Sequence, residues 1–168
     1  MASRDLERRV ERLVENNTPA LLAYFLRRTT DPADAADLLG DALLVIWRRA
    51  KALPTDDSEA RLWMFGVARR VLASQRRGQQ RRSALQDRLR AQLTVTGGAP
   101  DTDRIDLEVT LRRLSAVDQE IIRLVHWDGF SQAEAAQLLG LPEGTLRSRH
   151  HRARQQLRGM LQGFTSPR

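Results

Sequence analysis

The chain has 168 residues, no cysteine and a formal net charge of +7. That length holds one medium domain or two small ones, each near the lower limit for burying an adequate core. The missing thiols exclude a disulfide framework, a thiolate metal site and a thiol redox switch. Residues 1–15 alternate charges instead of presenting the apolar run of a signal peptide. The longest uncharged apolar stretch, around 18–26, is far shorter than the roughly 20 residues of a membrane span. A cytoplasmic protein with no membrane partner is expected.

Apolar residues recur at helical spacing along almost the whole chain, and no stretch alternates like a strand. This predicts an all-α fold. Short helices are expected over about 3–15 and 18–29. Asp31 and Pro32 open a longer helix, with the proline in its first turn, running to about residue 52. Residues 54–58, PTDDS, read as a polar loop. Ser58 or a neighbour then caps a long helix to about residue 93, with Gly78 as the point where it would break. Residues 94–103, TVTGGAPDTD, have the Gly, Pro and Asp content of a linker. Helices follow over about 105–114, 116–127, 132–139 and 143–162. Two small helical domains, 1–93 and 105–168, joined by a flexible linker over 94–104, are the expected organisation, with no further C-terminal regulatory domain.

Charge is distributed in blocks. Residues 1–59 carry nine basic and eleven acidic side chains, and 60–93 carry nine and one. Residues 94–143 carry four basic and nine acidic, and 144–168 carry six basic and none acidic. Lys51 is the only lysine. Arginine presents a planar fork of donors that fits phosphates and guanine edges. A GC-rich genome would explain Arg over Lys, but not two clusters nearly free of acids.

The second basic block follows a pattern with a mechanism. Residues 131–158 read SQAEAAQLLGLPEGTLRSRHHRARQQLR. Ser131 with Glu134 is a capping-box pair that opens a helix. Ala136 is small enough for a close helix crossing, and Gly140 suits a tight turn that needs positive φ. Leu141 and Leu146 are expected to point back into a small core, while Pro142 and Glu143 suit the first turn of the next helix. That helix presents Arg147, Ser148, His151 and Arg152 outward, after a Gly144-Thr145 start that enters the groove. This is a helix-turn-helix with a recognition helix sized for the major groove of double-stranded DNA. A plain helical hairpin would not require the Ala136, Gly140, Leu146 spacing. Arg154 and Arg158 lie further along, where the helix leaves the groove.

Other chemistry is poorly served. His150 and His151 are neighbours about 100° apart on a helix, so they do not converge on one ion, and His126 stands alone. No glycine-rich phosphate loop and no nucleophile–base pair is evident. Neither a metal, nor a cofactor, nor a catalytic site is expected.

The first half is more particular. In residues 37–47, DLLGDALLVIW, Asp37, Asp41 and Leu44 share one helical stripe with Arg48, while Leu38, Ala42, Val45 and Ile46 face a core. Residues 61–70, RLWMFGVARR, place Trp63 and Phe65 beside Arg61, Arg69 and Arg70; Arg76, Arg77, Arg81 and Arg82 follow. Aromatics among arginines suit unpaired bases stacked on rings while cations hold the backbone, although Phe65 reads equally well as core.

On these residues the chain resembles the extracytoplasmic-function, group IV sigma factors of bacterial RNA polymerase, within the sigma-70 family. Residues 37–47 resemble region 2.2, residues 63–77 resemble regions 2.3 and 2.4, and residues 114–157 resemble region 4, where GTLRSR at 144–149 matches a GTVKSR-like segment. The sequence departs from the family at Gly40, where Gln is common, at Leu43 (Phe), at Arg70 (Asn) and at Leu114-Ser115 (Leu-Pro). The resemblance implies a non-enzymatic specificity subunit of core RNA polymerase that directs promoter-specific initiation. Asp37, Leu38, Asp41, Leu44 and Trp47 would dock on the β′ clamp helices, and the second domain would meet the β flap. Trp63, Arg69, Arg70, Ser74, Arg76 and Arg77, with the 54–58 loop, would engage and melt the −10 element. Thr145, Arg147, Ser148, His151, Arg152 and Arg154 would meet the −35 element. An anti-sigma factor is a further partner of such proteins. The linker, about 35 Å at full extension, would let both domains reach one promoter. The rival readings are a stand-alone helix-turn-helix regulator, which would bind a palindrome as a dimer without polymerase, and a nucleic-acid-modifying enzyme, for which no catalytic constellation exists.

Overall fold

The computed structural model describes residues 3–90 and 107–165. Among these residues the chain forms seven α-helices, one 3-10 turn and no strand, the all-α fold that the periodicity predicts. It divides into two compact units, Met1–Thr96 and Gly97–Arg168. The expected linker at 94–104 lies outside the described residues.

In the first unit, α1 (Ser3–Leu26) is one helix with Pro19 inside it, not the two short helices expected. A helix-interior proline removes one hydrogen bond and crowds the carbonyl four residues back. Here Pro19 lies on the exposed face, where water can serve that carbonyl. At the same turn, Asn17 Nδ2 donates to the Leu13 carbonyl (2.8 Å) and Thr18 Oγ1 to the Val14 carbonyl (2.7 Å). The buried stripe of Val10, Leu13, Asn17, Leu21 and Tyr24 runs straight past the proline, and its packing keeps the helix whole. Beyond it, the Arg28 guanidinium lies 3.7 Å from the Tyr24 ring centroid, and its Nη1 donates to the Tyr24 carbonyl at 3.0 Å.

Asp31 caps α2 (Pro32–Arg48) by accepting from the Ala33 amide at 2.8 Å. The helix buries Ala35, Leu38, Ala42 and Ile46, spaced by three or four residues. It ends at Arg48, and a 3-10 turn, Ala50–Ala52, follows, so it stops short of the expected residue 52. Leu53 precedes Pro54, which disfavours helical backbone there. Leu53 is accordingly extended, at φ −67 and ψ 126, and it is buried.

The cap of α3 (Asp57–Arg90) is Asp56, not Ser58. Its Oδ1 accepts from the Ser58 and Glu59 amides, each at 2.9 Å, and from the Ser58 hydroxyl. The Ser58 hydroxyl and the Glu59 amide hold the Asp56 carboxyl below the usual carboxylate range. Arg9 on α1 reaches the same place: its Nη2 donates to the Thr55 carbonyl (2.8 Å) and to Asp57 Oδ1 (3.0 Å). The helix runs 34 residues without a break at Gly78, since a lone glycine costs about 1 kcal/mol but removes no hydrogen bond. Met64, Phe65, Ala68 and Leu72 of α3 are buried. The Tyr24 ring meets Phe25 and Phe65 edge-on, at 5.4 and 5.6 Å between centroids.

The second unit packs α4 (Leu107–Leu111), α5 (Ala116–His126), α6 (Gln132–Leu139) and α7 (Glu143–Thr165) around Leu111, Leu114, Ile121, Ile122, Leu124, Phe130, Leu146, Ala153 and Leu157. The first of these is shorter than the expected 105–114. Ser115 caps α5 with extended backbone, accepting from the Asp118 amide at 3.2 Å, so the chain has to leave α4 before it. A serine at this position supplies the cap that a proline could not. The Ser131–Glu134 capping box forms in both directions. Gly140 is left-handed, at φ 64 and ψ 33, and the Leu141 amide donates to the Ala136 carbonyl at 3.0 Å. Leu146 is fully buried, whereas Leu141, expected in the core, is half-buried.

Candidate nucleic-acid interface

Three helix faces carry the predicted site residues. On α7, Leu146, His150, Ala153 and Leu157 are buried at helical spacing and seat the helix. Thr145, Arg147, Ser148, His151, Arg152 and Arg154 are all exposed. Arg147 Nη2 lies 3.1 Å from Glu143 Oε1, one turn earlier. Arg152 Nε donates weakly to the Ser148 carbonyl at 3.4 Å.

Two anchors of this helix escape sequence reasoning. Arg149 does not join the outward face. Its Nη1 donates to Asp118 Oδ1 at 2.9 Å, while Asp118 Oδ2 accepts from the Ser115 hydroxyl at 2.7 Å. This ties the recognition helix to the cap of α5. The second anchor corrects the reading of His126 as alone. Its Nε2 lies 2.9 Å from His150 Nε2, with the rings stacked, and Gln132 Nε2 lies 3.1 Å from His150 Nδ1. One proton fits between the two Nε2 atoms. If Gln132 donates to His150 Nδ1, the His150 Nε2–H must donate to His126. Burial first, and the neighbouring His126 second, push the His150 pKa down, so the imidazole is neutral. The His150–His151 adjacency visible in the sequence separates the two by function: one is buried, the other exposed. Among the described residues no group of three or more His, Cys, Asp or Glu could hold a metal ion.

On α3, Arg69, Arg70, Ser74, Arg76 and Arg77 are exposed and Trp63 is half-buried. Phe65 is 1% exposed and belongs to the core, so of the two aromatics only Trp63 keeps a solvent-facing flank. Arg61 covers Phe65, with 5.0 Å from guanidinium to ring centroid. Arg76 is partly engaged already, its Nη2 donating to the Arg28 carbonyl at 3.2 Å.

On α2, Asp37, Asp41 and Arg48 are exposed, as are Leu44 (49%) and Trp47 (40%). Two large apolar side chains standing beside two carboxylates form a surface suited to a basic helical partner. Leu38, which the family resemblance places with the docking residues although its helical position points to the core, is 2% exposed. The helix rotation that exposes Asp37 and Asp41 turns Leu38 into the core, where it seats the surface instead of contacting a partner. Val45, expected in the core, is half-buried. A Cβ added at Gly40 would meet nothing within 4 Å, so packing does not require the glycine there.

A helix-turn-helix unit whose recognition helix carries Glu143 as its only carboxylate, together with a helical unit containing a basic 34-residue helix, defines a class of DNA-binding protein. The comparisons narrow it. Sigma-70 region 2 matches residues 13–82 and Sigma-70 region 4 matches residues 104–157. The ECF RNA polymerase sigma factor SigL of Mycobacterium tuberculosis is 32% identical over 160 residues, covering 89% of this chain and 87% of the relative. The RNA polymerase sigma-E factor of Streptomyces coelicolor is 31% identical over 152 residues, covering 88% and 83%. Among solved structures, the sigma factor RpoE from Bartonella quintana, crystallised with the anti-sigma factor NepR, superposes with a TM-score of 0.71 at 28% identity, covering 90% of this chain and 96% of that one.

The chain belongs to the ECF family of RNA polymerase sigma factors. It is a transcription initiation factor, not an enzyme, and its partners are core RNA polymerase and promoter DNA. No described helix is long and apolar enough to cross a membrane.

Proposed function

We propose that the two units divide promoter recognition between them. The exposed face of α7 meets the −35 element: Thr145, Arg147, Ser148, His151 and Arg152 in the major groove, and Arg154 where the helix leaves it, without regard to sequence. The α3 face, Trp63, Arg69, Arg70, Ser74, Arg76 and Arg77, engages the −10 element with the loop before it and helps to melt it. Unstacking a base costs a few kcal/mol, which the arginines and the Arg9-braced loop offset. Asp37, Asp41, Leu44 and Trp47 dock on the β′ clamp helices, and the second unit meets the β flap. Residues 94–104 link domains 1–93 and 105–168. The protein acts in the cytoplasm, on the nucleoid. An anti-sigma factor is a further partner, as NepR is in the complex with the Bartonella sigma factor.

The observation that carries this reading is the split of α7. Four side chains seat the helix in the core, while the opposite face presents three arginines, a serine and a histidine with Glu143 as its only carboxylate. Run-off transcription with core polymerase on a genomic promoter library tests it. Transcripts whose promoters share two spaced elements, both protected from cleavage only when polymerase is present, are expected. Protection of a palindrome by the chain alone would replace the assignment with that of a stand-alone regulator.

A further inference from the structure

The recognition helix packs on α5 through Ile122, Ala153 and Leu157, which lie in one buried cluster. Apolar burial has no direction, so this stripe resists a small rotation of α7 about its own axis only weakly. Hydrogen bonds and ion pairs do have direction, and two such contacts join α7 to α5.

Asp118 stands in the first turn of α5 and His126 is its last residue. Eight residues put them about 12 Å apart along the axis. Their partners on α7 are neighbours. Asp118 Oδ1 accepts from Arg149 Nη1 at 2.9 Å, and His126 Nε2 faces His150 Nε2 at 2.9 Å. With a turn of 100° per residue, Arg149 leaves α7 about 60° to one side of Leu146, and His150 about 40° to the other. A rotation of α7 that relaxes one contact therefore stretches the other. Both contacts are themselves held in place. The Ser115 hydroxyl donates to Asp118 Oδ2 at 2.7 Å, and Gln132 Nε2 of α6 lies 3.1 Å from His150 Nδ1. The Arg149 and Asp118 side chains are 36% and 20% exposed, so salt screens this pair less than one standing open in water.

We infer that Asp118 and His126 are positioning residues for −35 recognition. From opposite ends of α5, through Arg149 and His150, they set the rotation of the recognition helix and with it the base edges that Arg147 and Ser148 face. Neither has to contact DNA. A binding constellation works only when held within about 0.5 Å and 10–20° of its productive geometry by the contacts behind it, and this two-sided brace supplies them. The inference rests on the reading of α7 as the −35 face.

The test is competition binding of holoenzyme to promoters recovered by run-off transcription, each carrying single base-pair changes in the −35 element. The readout is the ratio of affinities for preferred and altered base pairs. Partial unfolding lowers both affinities alike and leaves this ratio unmoved. Asp118→Asn and His126→Leu should each lower it about three- to tenfold at the positions read by Arg147, part of the discrimination that a bidentate contact gives. Asp118→Glu, which keeps a carboxylate for Arg149, should retain most of it. An unchanged ratio in either Asp118→Asn or His126→Leu, while Arg147→Ala still flattens it, refutes the brace and leaves the −35 face standing. A uniform gain in affinity for Asp118→Asn with the ratio intact also refutes it, because Arg149 would then have been freed to bind phosphate. If Arg147→Ala leaves the ratio untouched as well, the −35 reading fails and the brace with it.

Discussion

Replacing Arg147 with alanine tests the recognition face most directly. In the free chain its Nη2 sits 3.1 Å from Glu143 Oε1, but the two side chains are 64% and 57% exposed. An ion pair that open to solvent contributes about 0–1 kcal/mol, so DNA has little to displace. A bidentate arginine–guanine contact discriminates against the wrong base by about 1–3 kcal/mol. Allowing for the surrendered pair leaves about 1–2 kcal/mol, or roughly five- to thirtyfold. Competition binding of holoenzyme to promoters carrying each base pair at each −35 position would measure this. Arg147→Ala should flatten the preference at one or two positions by that factor, with core-polymerase binding unchanged. The substitution also leaves Glu143 facing phosphates, which weakens all promoters by a small common factor. Glu143→Gln in the same background should restore that part alone. Arg154→Ala, further along the helix, should weaken every sequence alike. A uniform loss for Arg147→Ala, or a changed base preference for Arg154→Ala, would mean that the helix face or its docking angle is wrong.

Asp41→Arg reverses a charge on the exposed α2 stripe and should weaken association with core polymerase by at least about 1 kcal/mol; undiminished co-purification would remove the stripe from the interface. Arg77→Ala should flatten the slope of log K against log salt by about one, the value of one neutralised phosphate, and an unchanged slope would make this arginine only a solubilising group. Arg76→Ala should also lower the melting temperature, because it releases the Arg28 carbonyl. The lowered pKa of His150 makes the second unit acid-sensitive. Below about pH 6.5, the ordinary histidine value, the unfolded chain takes up a proton that folded His150 refuses. Stability should therefore fall as pH drops through that value and on toward the lowered one, and stay level above it. Urea midpoints that do not change between pH 7.5 and 5.5 in wild type, or that fall equally in His150→Gln, would show that the pair is not the cause.

Much of the site was legible because it follows rules that act within one helical turn. The Asp31 cap, the Ser131–Glu134 box and left-handed Gly140 each depend on residues at most four apart, and all formed where the spacing places them. The outward set on α7 followed from the same period, since Leu146, His150, Ala153 and Leu157 define the buried side. The charge blocks needed only counting. Two expectations went wrong where a local rule met a longer one. The expected break between residues 15 and 18 was overruled by the apolar stripe running past it, and the break allowed for at Gly78 by uninterrupted backbone bonding.

What spacing alone could not decide is which of two neighbouring side chains is buried, and which distant groups meet. Val45 and Ile46 were both expected to face the core, yet the contacts of α2 with its neighbours bury Ile46 and leave Val45 half-buried. Trp63 and Phe65 separate in the same way. His126 meets His150 across 24 residues, Asp118 meets Arg149 across 31, and Arg9 meets the Thr55 carbonyl across 46. A helix's period determines the direction of a side chain relative to its own axis. Whether that direction ends in solvent, in the core or on another polar group depends on how the axes cross, and this is set by the packing of the whole unit.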